Sequence, residues 1–119
     1  MEFKRSTRVA DLMLREIADL LRRRVKDPRL EAVTVTGVEL TDDLRHARVF
    51  YCLKTEVEQR QGVATGLNKA KGFIRGELGK RLRLRYMPEI QFKYDESFDY
   101  GDKIDRLLKE LHQDEGNQQ

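Results

Sequence analysis

Seven of the eight charged side chains between Gly66 and Pro88 are basic: Lys69, Lys71, Arg75, Lys80, Arg81, Arg83 and Arg85 stand against Glu77 alone. A cation density of this kind neutralises phosphate, so the chemistry it supplies is attraction to an anionic polymer such as nucleic acid. The flanks are balanced differently. Residues 1–30 carry nine basic and five acidic side chains, residues 31–65 four and six, and residues 89–119 four and nine. A net charge of +3 conceals this polarity.

Glycines run through the same segment. On a helical wheel Gly72, Gly76, Gly79 and Arg83, at spacings of four, three and four, fall together opposite Ile74, Leu78 and Leu82. Two interior glycines weaken a helix by about 1 to 2 kcal/mol, which something must offset. Close helix packing is one account; the approach of a nucleic-acid backbone, with Arg75, Lys80, Arg83 and Arg85 beside it, is the other. The surrounding charge favours the second. Gly76-Glu77-Leu78-Gly79 has the form of the GxxG that KH domains use to clamp a nucleic-acid backbone. It falls inside a helical run, however, and Glu77 would face phosphates with the wrong charge, so it reads as a chance match. A second basic face comes from Arg8, Arg15, Arg22 and Lys26, at intervals of seven, seven and four, extended by Lys4 and Arg5 and interrupted by Asp11 and Asp19. The candidate RNA-contacting set is therefore Lys69, Lys71, Gly72, Arg75, Gly76, Gly79, Lys80, Arg83 and Arg85, with Arg8, Arg15 and Arg22 on the first helix.

Other chemistries lack their residues. His46 and His112 are isolated, no nucleophile has a base beside it, and there is no GxxxxGK[ST] phosphate loop, so catalysis is not expected. The acidic run from Asp95 to Asp102 fails as a calcium loop, because with Asp95 at the first position Tyr100 stands where glycine is needed and Arg106 where glutamate is. Helix capping and solvation around Ser97 and Asp102 are the expectation there. A single cysteine, Cys52, excludes an internal disulfide and any multi-cysteine metal site, and its apolar neighbours predict a packed thiol. No cofactor and no metal are expected.

The elements that must position these residues follow from periodicity. Val9, Leu12, Met13, Ile17, Leu20, Leu21 and Val25 form a helical stripe over about residues 6–26, ended by Asp27-Pro28. Val33 and Val35 alternate with threonines, then Val38 and Leu40 resume out of phase across Gly37, predicting a strand with a bulge. After the turn at Thr41-Asp42-Asp43, Ala47, Val49, Tyr51 and Leu53 predict the second strand of a hairpin. Val57, Val63, Ala64, Leu67 and Ala70 suggest a second helix, Phe73, Ile74, Leu78 and Leu82 a third, with a kink at residues 68–72. Pro88 resets the chain before a third strand at Ile90, Phe92 and Tyr94, and Ile104, Leu107, Leu108 and Leu111 suggest a short C-terminal helix. The order helix, strand, strand, helix, helix, strand predicts an α+β fold with helices on one face of a three-stranded sheet, the order of a type II KH domain.

At 119 residues, 38% charged and 39% hydrophobic, the chain fits one soluble domain over residues 1–112 and a flexible polar tail at 113–119. No apolar run suggests a membrane span or signal peptide, so a cytoplasmic location is expected.

Six collinear blocks also resemble the ribosome-binding factor A family: residues 26–30 (KDPRL), 33–36 (VTVT), 43–51 (DLRHARVFY), 67–75 (LNKAKGFIR), 84–89 (LRYMPE) and 94–97 (YDES). The resemblance implies a KH-like fold in which an Ala-x-Gly kink, here Ala70-Lys71-Gly72, replaces GxxG between the last two helices. It further implies binding to the immature small (30S) ribosomal subunit and its 16S rRNA, late maturation including 5′-end processing, and growth in the cold. Ribosomal proteins and assembly GTPases would be further partners of a monomeric protein. If Gly72 holds a strained backbone at that kink, Gly72→Ala is expected to destabilise the fold. A general KH-type binder of RNA or single-stranded DNA, and a protein-interaction adaptor with a basic face, are the alternatives.

Overall fold

The computed structural model describes residues 4–53, 59–97, 105 and 107–112. Helix α1 spans Arg5–Arg23, and its apolar stripe Val9, Met13, Ile17, Leu20 and Leu21 is buried as the spacing requires. Leu12, expected in that stripe, is instead 48% exposed, because it flanks the line of residues that meets the rest of the core. The helix stops before Lys26, and Asp27 then caps a short 3-10 turn, Pro28–Leu30, by accepting the Arg29 N–H at 3.0 Å. Pro28 needs no amide partner at this start, and Leu30 drops into the core.

Strand β1 (Val33–Leu40) pairs antiparallel with β2 (His46–Leu53), and the register shifts between Val35 and Gly37, where the phase change predicted a bulge. Strand β3 (Glu89–Tyr94) pairs parallel with β2, which gives the sheet order β1-β2-β3. Helix α1 packs on β1 and the following helix on β3, and the helices touch each other. Ala47, Val49, Tyr51, Leu53 and Ile90 join the helix stripes in one core. Cys52 is buried. The α+β architecture with a three-stranded sheet is the expected one.

One feature of the expected layout changes. A single helix, α2 (Arg60–Arg81), occupies the stretch where two were predicted, and it is unbroken through residues 68–72. Val63, Leu67, Ile74 and Leu78 are buried and Ala70 packs on the core, so the stripe continues across the expected break at helical spacing. One glycine costs a helix about 1 kcal/mol, too little to break it when the burial on both sides agrees. No described glycine has a positive φ, so Gly72 has an ordinary helical backbone. The Ala70-Lys71-Gly72 kink is thus absent as a break in the helix. Phe73, expected in the core, is 44% exposed. Residues 107–112 are helical as predicted, but Leu107, Leu108 and Leu111 are about half exposed, not packed as an apolar stripe. Val57, the acidic run beyond Ser97 and the tail at 113–119 lie outside the described residues.

Candidate nucleic-acid interface

The basic side chains divide by whether the fold has already engaged them. Arg75 has been engaged: its Nε donates to the Pro88 carbonyl at 3.0 Å, its Nη2 donates to the Met87 carbonyl at 2.9 Å, and Glu89 lies 3.3 Å away. It clamps the segment between α2 and β3 onto the helix. Arg81 is engaged as well, reaching across to α1 to donate to Glu16 at 2.7 Å and Asp19 at 2.9 Å. Arg22 lies 3.6 Å from Asp19, Arg29 lies 2.8 Å from Asp27, and Lys80 lies 3.3 Å from Glu77, within α2. By contrast Arg8, Arg15, Lys71, Arg83 and Arg85 have no ion-pair partner among the described residues. All except Lys71, which is half-buried, are exposed. Lys69 is exposed too, with its charge felt by Asp27.

These free cations lie in two places. Lys69 shares the exposed side of α2, opposite the buried stripe, with Gly72, Phe73, Gly76 and the Glu77-paired Lys80. Arg83 and Arg85 continue the charge beyond the end of α2; Arg83 therefore belongs to the connecting segment, not to the helical glycine line. On α1, Arg5, Arg8, Leu12 and Arg15 form an exposed ridge that starts at the β1-β2 hairpin, where Ser6 donates to Asp42 and Lys4 pairs with it.

The glycine stripe has two explanations, one for each end. A Cβ on Gly79 would lie 3.4 Å from Met87 Cγ, so the clamped segment packs over that end. A Cβ on Gly72 or Gly76 would meet nothing within 4 Å, and these two line a shallow surface depression with Arg75 and Met87. Gly76-Glu77-Leu78-Gly79 lies within α2 with Leu78 buried, so it forms no clamping turn. The expected penalty at Gly72 reverses: Gly72→Ala should raise stability by about 0.4 to 1 kcal/mol, since the backbone is ordinary and the space open. A higher urea midpoint with an unchanged slope is the result to look for.

Sequence reading missed four participants. Gly66 is the glycine that the packing requires, for α2 crosses the 3-10 turn there. Arg45 and Tyr86 sit beside Arg85 at the hairpin end of the molecule; a tyrosine within a basic segment was the one legible signal, and its 72% exposure emerges only from the fold. Next to Ser97 the capping group is Asp95, which accepts from the Ser97 amide and hydroxyl and from the Thr36 hydroxyl at the bulge, while Asp102 lies outside the described residues.

The α1-α2 ion-pair cluster carries a pH signature. The Arg81 hydrogen bond, foremost, holds the Asp19 carboxyl below its ordinary 3.8; burial opposes it, and the charges of Arg23, Arg81 and Arg22 add to the lowering. A carboxylate lowered in this way stabilises the fold fully above its unfolded-state pKa and loses that contribution as pH falls through the folded one. The difference in urea midpoint between the native protein and Arg81→Met should therefore be widest near neutrality and shrink below about pH 4.

Helices on one face of a mixed sheet, in this order and with a surplus of uncommitted guanidinium groups, define a small basic protein of the KH-like α+β class. The family profile described as ribosome-binding factor A matches residues 5–108, and the chain belongs to that family. A ribosome-binding factor A from Syntrophobacter fumaroxidans is 62% identical over 97% of this chain and all of its own. The crystal structure of ribosome-binding factor A from Thermus thermophilus superposes with a TM-score of 0.66 at 26% identity, covering 75% of this chain and 94% of that one. A homology model of the Thermus thermophilus protein, fitted into a cryo-EM map of its 30S complex, matches with a TM-score of 0.63 at 26% identity, covering 74% and 92%. The family is one of ribosome-binding factors and not of enzymes.

Proposed function

We propose that this protein is a ribosome assembly factor that binds the immature small (30S) subunit and its 16S rRNA. It aids late maturation, including processing of the rRNA 5′ end, and supports growth in the cold. The observation that carries this reading is the family match over residues 5–108, together with a relative of the same fold fitted into a 30S complex. The basic side chains supply the matching chemistry: Lys69, Lys71, Lys80, Arg83, Arg85, Arg8, Arg15 and Arg22 take phosphate, while Gly72 and Gly76 leave room for a backbone to approach α2. Arg75 and Gly79 serve the site by shaping the segment that follows the helix. Residues 1–112 form the RNA-binding unit and 113–119 its polar tail. The protein acts in the cytoplasm as a monomer, beside ribosomal proteins and assembly GTPases. No described helix is long and apolar enough to cross a membrane.

Subunit fractionation tests the reading. On a sucrose gradient the protein should travel with free small subunits and be missing from 70S ribosomes, and its depletion should accumulate rRNA with an unprocessed 5′ end, most visibly in the cold. Sedimentation apart from all ribosomal particles would leave a general nucleic-acid binder or an adaptor instead. Of those two, only the nucleic-acid binder should release its partner steeply as salt rises.

A further inference from the structure

We propose that the hairpin end of the molecule holds a single unpaired RNA nucleotide, its base stacked on Tyr86 and its phosphates met by Arg5, Arg45 and Arg85. This rests on the 30S-binding reading and adds a specific subsite to it. A hollow of about 600 Å³ lies between the start of α1, the β1-β2 turn and the segment after α2. Its apolar lining is Leu44, Leu84 and Met87, and Arg5, Arg45 and Arg85 are the cations around it. None of these three arginine side chains has an ion-pair partner among the described residues. The acids nearby are occupied. Asp43 accepts from the Thr41 hydroxyl and the Arg45 amide, and Glu89 pairs with Arg75.

Tyr86 is 72% exposed, and the Arg85 guanidinium lies 5.5 Å from its ring centre. A ring and a guanidinium plane side by side are what an unstacked base recognises, since each offers a flat polarisable face and one also carries charge. The clamp through Arg75 fixes the backbone of this segment just beyond Tyr86, so the ring stands on an anchored support. Leu44 adds a second observation. Its φ of 63° makes it the one described residue other than glycine with a left-handed backbone, a costly arrangement for a leucine that turns its side chain to the hollow. Asparagine or glycine would make the turn at less cost but would supply no apolar surface.

The probe is a fluorescently labelled single-stranded hexauridylate, titrated into the full chain at low salt, beside a gradient assay with immature small subunits. The chain has no tryptophan and four tyrosines, so tyrosine emission can be read without interference, and the quenching lost in Tyr86→Ala is the part that stacking on this ring contributes. Tyr86→Ala should weaken hexauridylate binding roughly 5- to 150-fold and abolish much of the quenching, whereas Tyr86→Phe, which keeps the ring, should retain most of the affinity. The thermal melt should not move, since the side chain is exposed. Equal binding by the native protein and Tyr86→Ala, or no binding of hexauridylate by the native protein, overturns the proposal. Weaker association of Tyr86→Ala with subunits but not with hexauridylate also overturns it, and assigns the hollow to a ribosomal protein. Failure of the native protein to travel with small subunits would count against the assembly reading, while the hexauridylate titration would still decide the stacking site.

Discussion

Reversing the two free arginines beyond α2, as Arg83→Glu with Arg85→Glu, should weaken binding to immature small subunits by roughly 10- to 100-fold at moderate salt and reduce the log-log salt slope by about 2. The domain should melt as before. Both side chains are exposed and lack ion pairs among the described residues, and the ring that Arg85 meets, Tyr86, is itself exposed, so the core does not depend on their charge. Arg75→Glu in the same basic segment should behave differently. That change removes the donors to the Met87 and Pro88 carbonyls and sets a carboxylate against Glu89, so lower stability should accompany any loss of binding. Salt titrations and urea midpoints on the two variants separate a contact residue from a scaffold residue. If the double reversal binds normally, the α1 ridge is the RNA face, and Arg8→Glu with Arg15→Glu should then carry the effect.

Gly66→Ala should destabilise the protein by about 1 to 2 kcal/mol, opposite in sign to Gly72→Ala six residues further along the same helix. The added methyl would lie 3.1 Å from Asp27 Oδ2, 3.2 Å from Leu30 Cδ2 and 3.4 Å from an Arg29 guanidinium nitrogen. None of these can retreat freely. Leu30 is 1% exposed, and Asp27 and Arg29 are bound to each other by a side-chain pair of hydrogen bonds as well as by the cap. Alanine's better helix propensity recovers under about 1 kcal/mol, less than the cost of overpacking, which is typically about 1 to 3 kcal/mol. A urea midpoint for Gly66→Ala at or above the native value would show that the 3-10 turn yields more easily than its hydrogen bonds imply.

The acid dependence of Arg81→Met and the open space at Gly72 give the same lesson at smaller scale, because identical residue types in one segment meet different neighbours. Arg81 and Arg83 are two positions apart; the first is spent on Glu16 and Asp19 of α1, and the second is free. Gly66, Gly72 and Gly79 face the 3-10 turn, open solvent and Met87 respectively.

What the sequence determined by itself is whatever short-range sterics and burial period control. The three strands, the hairpin, the bulge at Gly37, the stripe of α1 and the stop near Pro28 were legible, since alternation, β-branching, turn residues and proline act within a few positions of themselves. The concentration of charge between Gly66 and Pro88 was equally plain. Tertiary structure decided the rest. Whether residues 68–72 break the helix depended on a continuous surface for Leu67, Ala70 and Ile74 to bury against, and that surface is assembled from α1 and the sheet. The left-handed Leu44, the exposed Phe73 and the division of arginines into clamps and free contacts likewise depend on groups brought together from distant parts of the chain. Composition counts charges, but only the fold determines which of them already have partners.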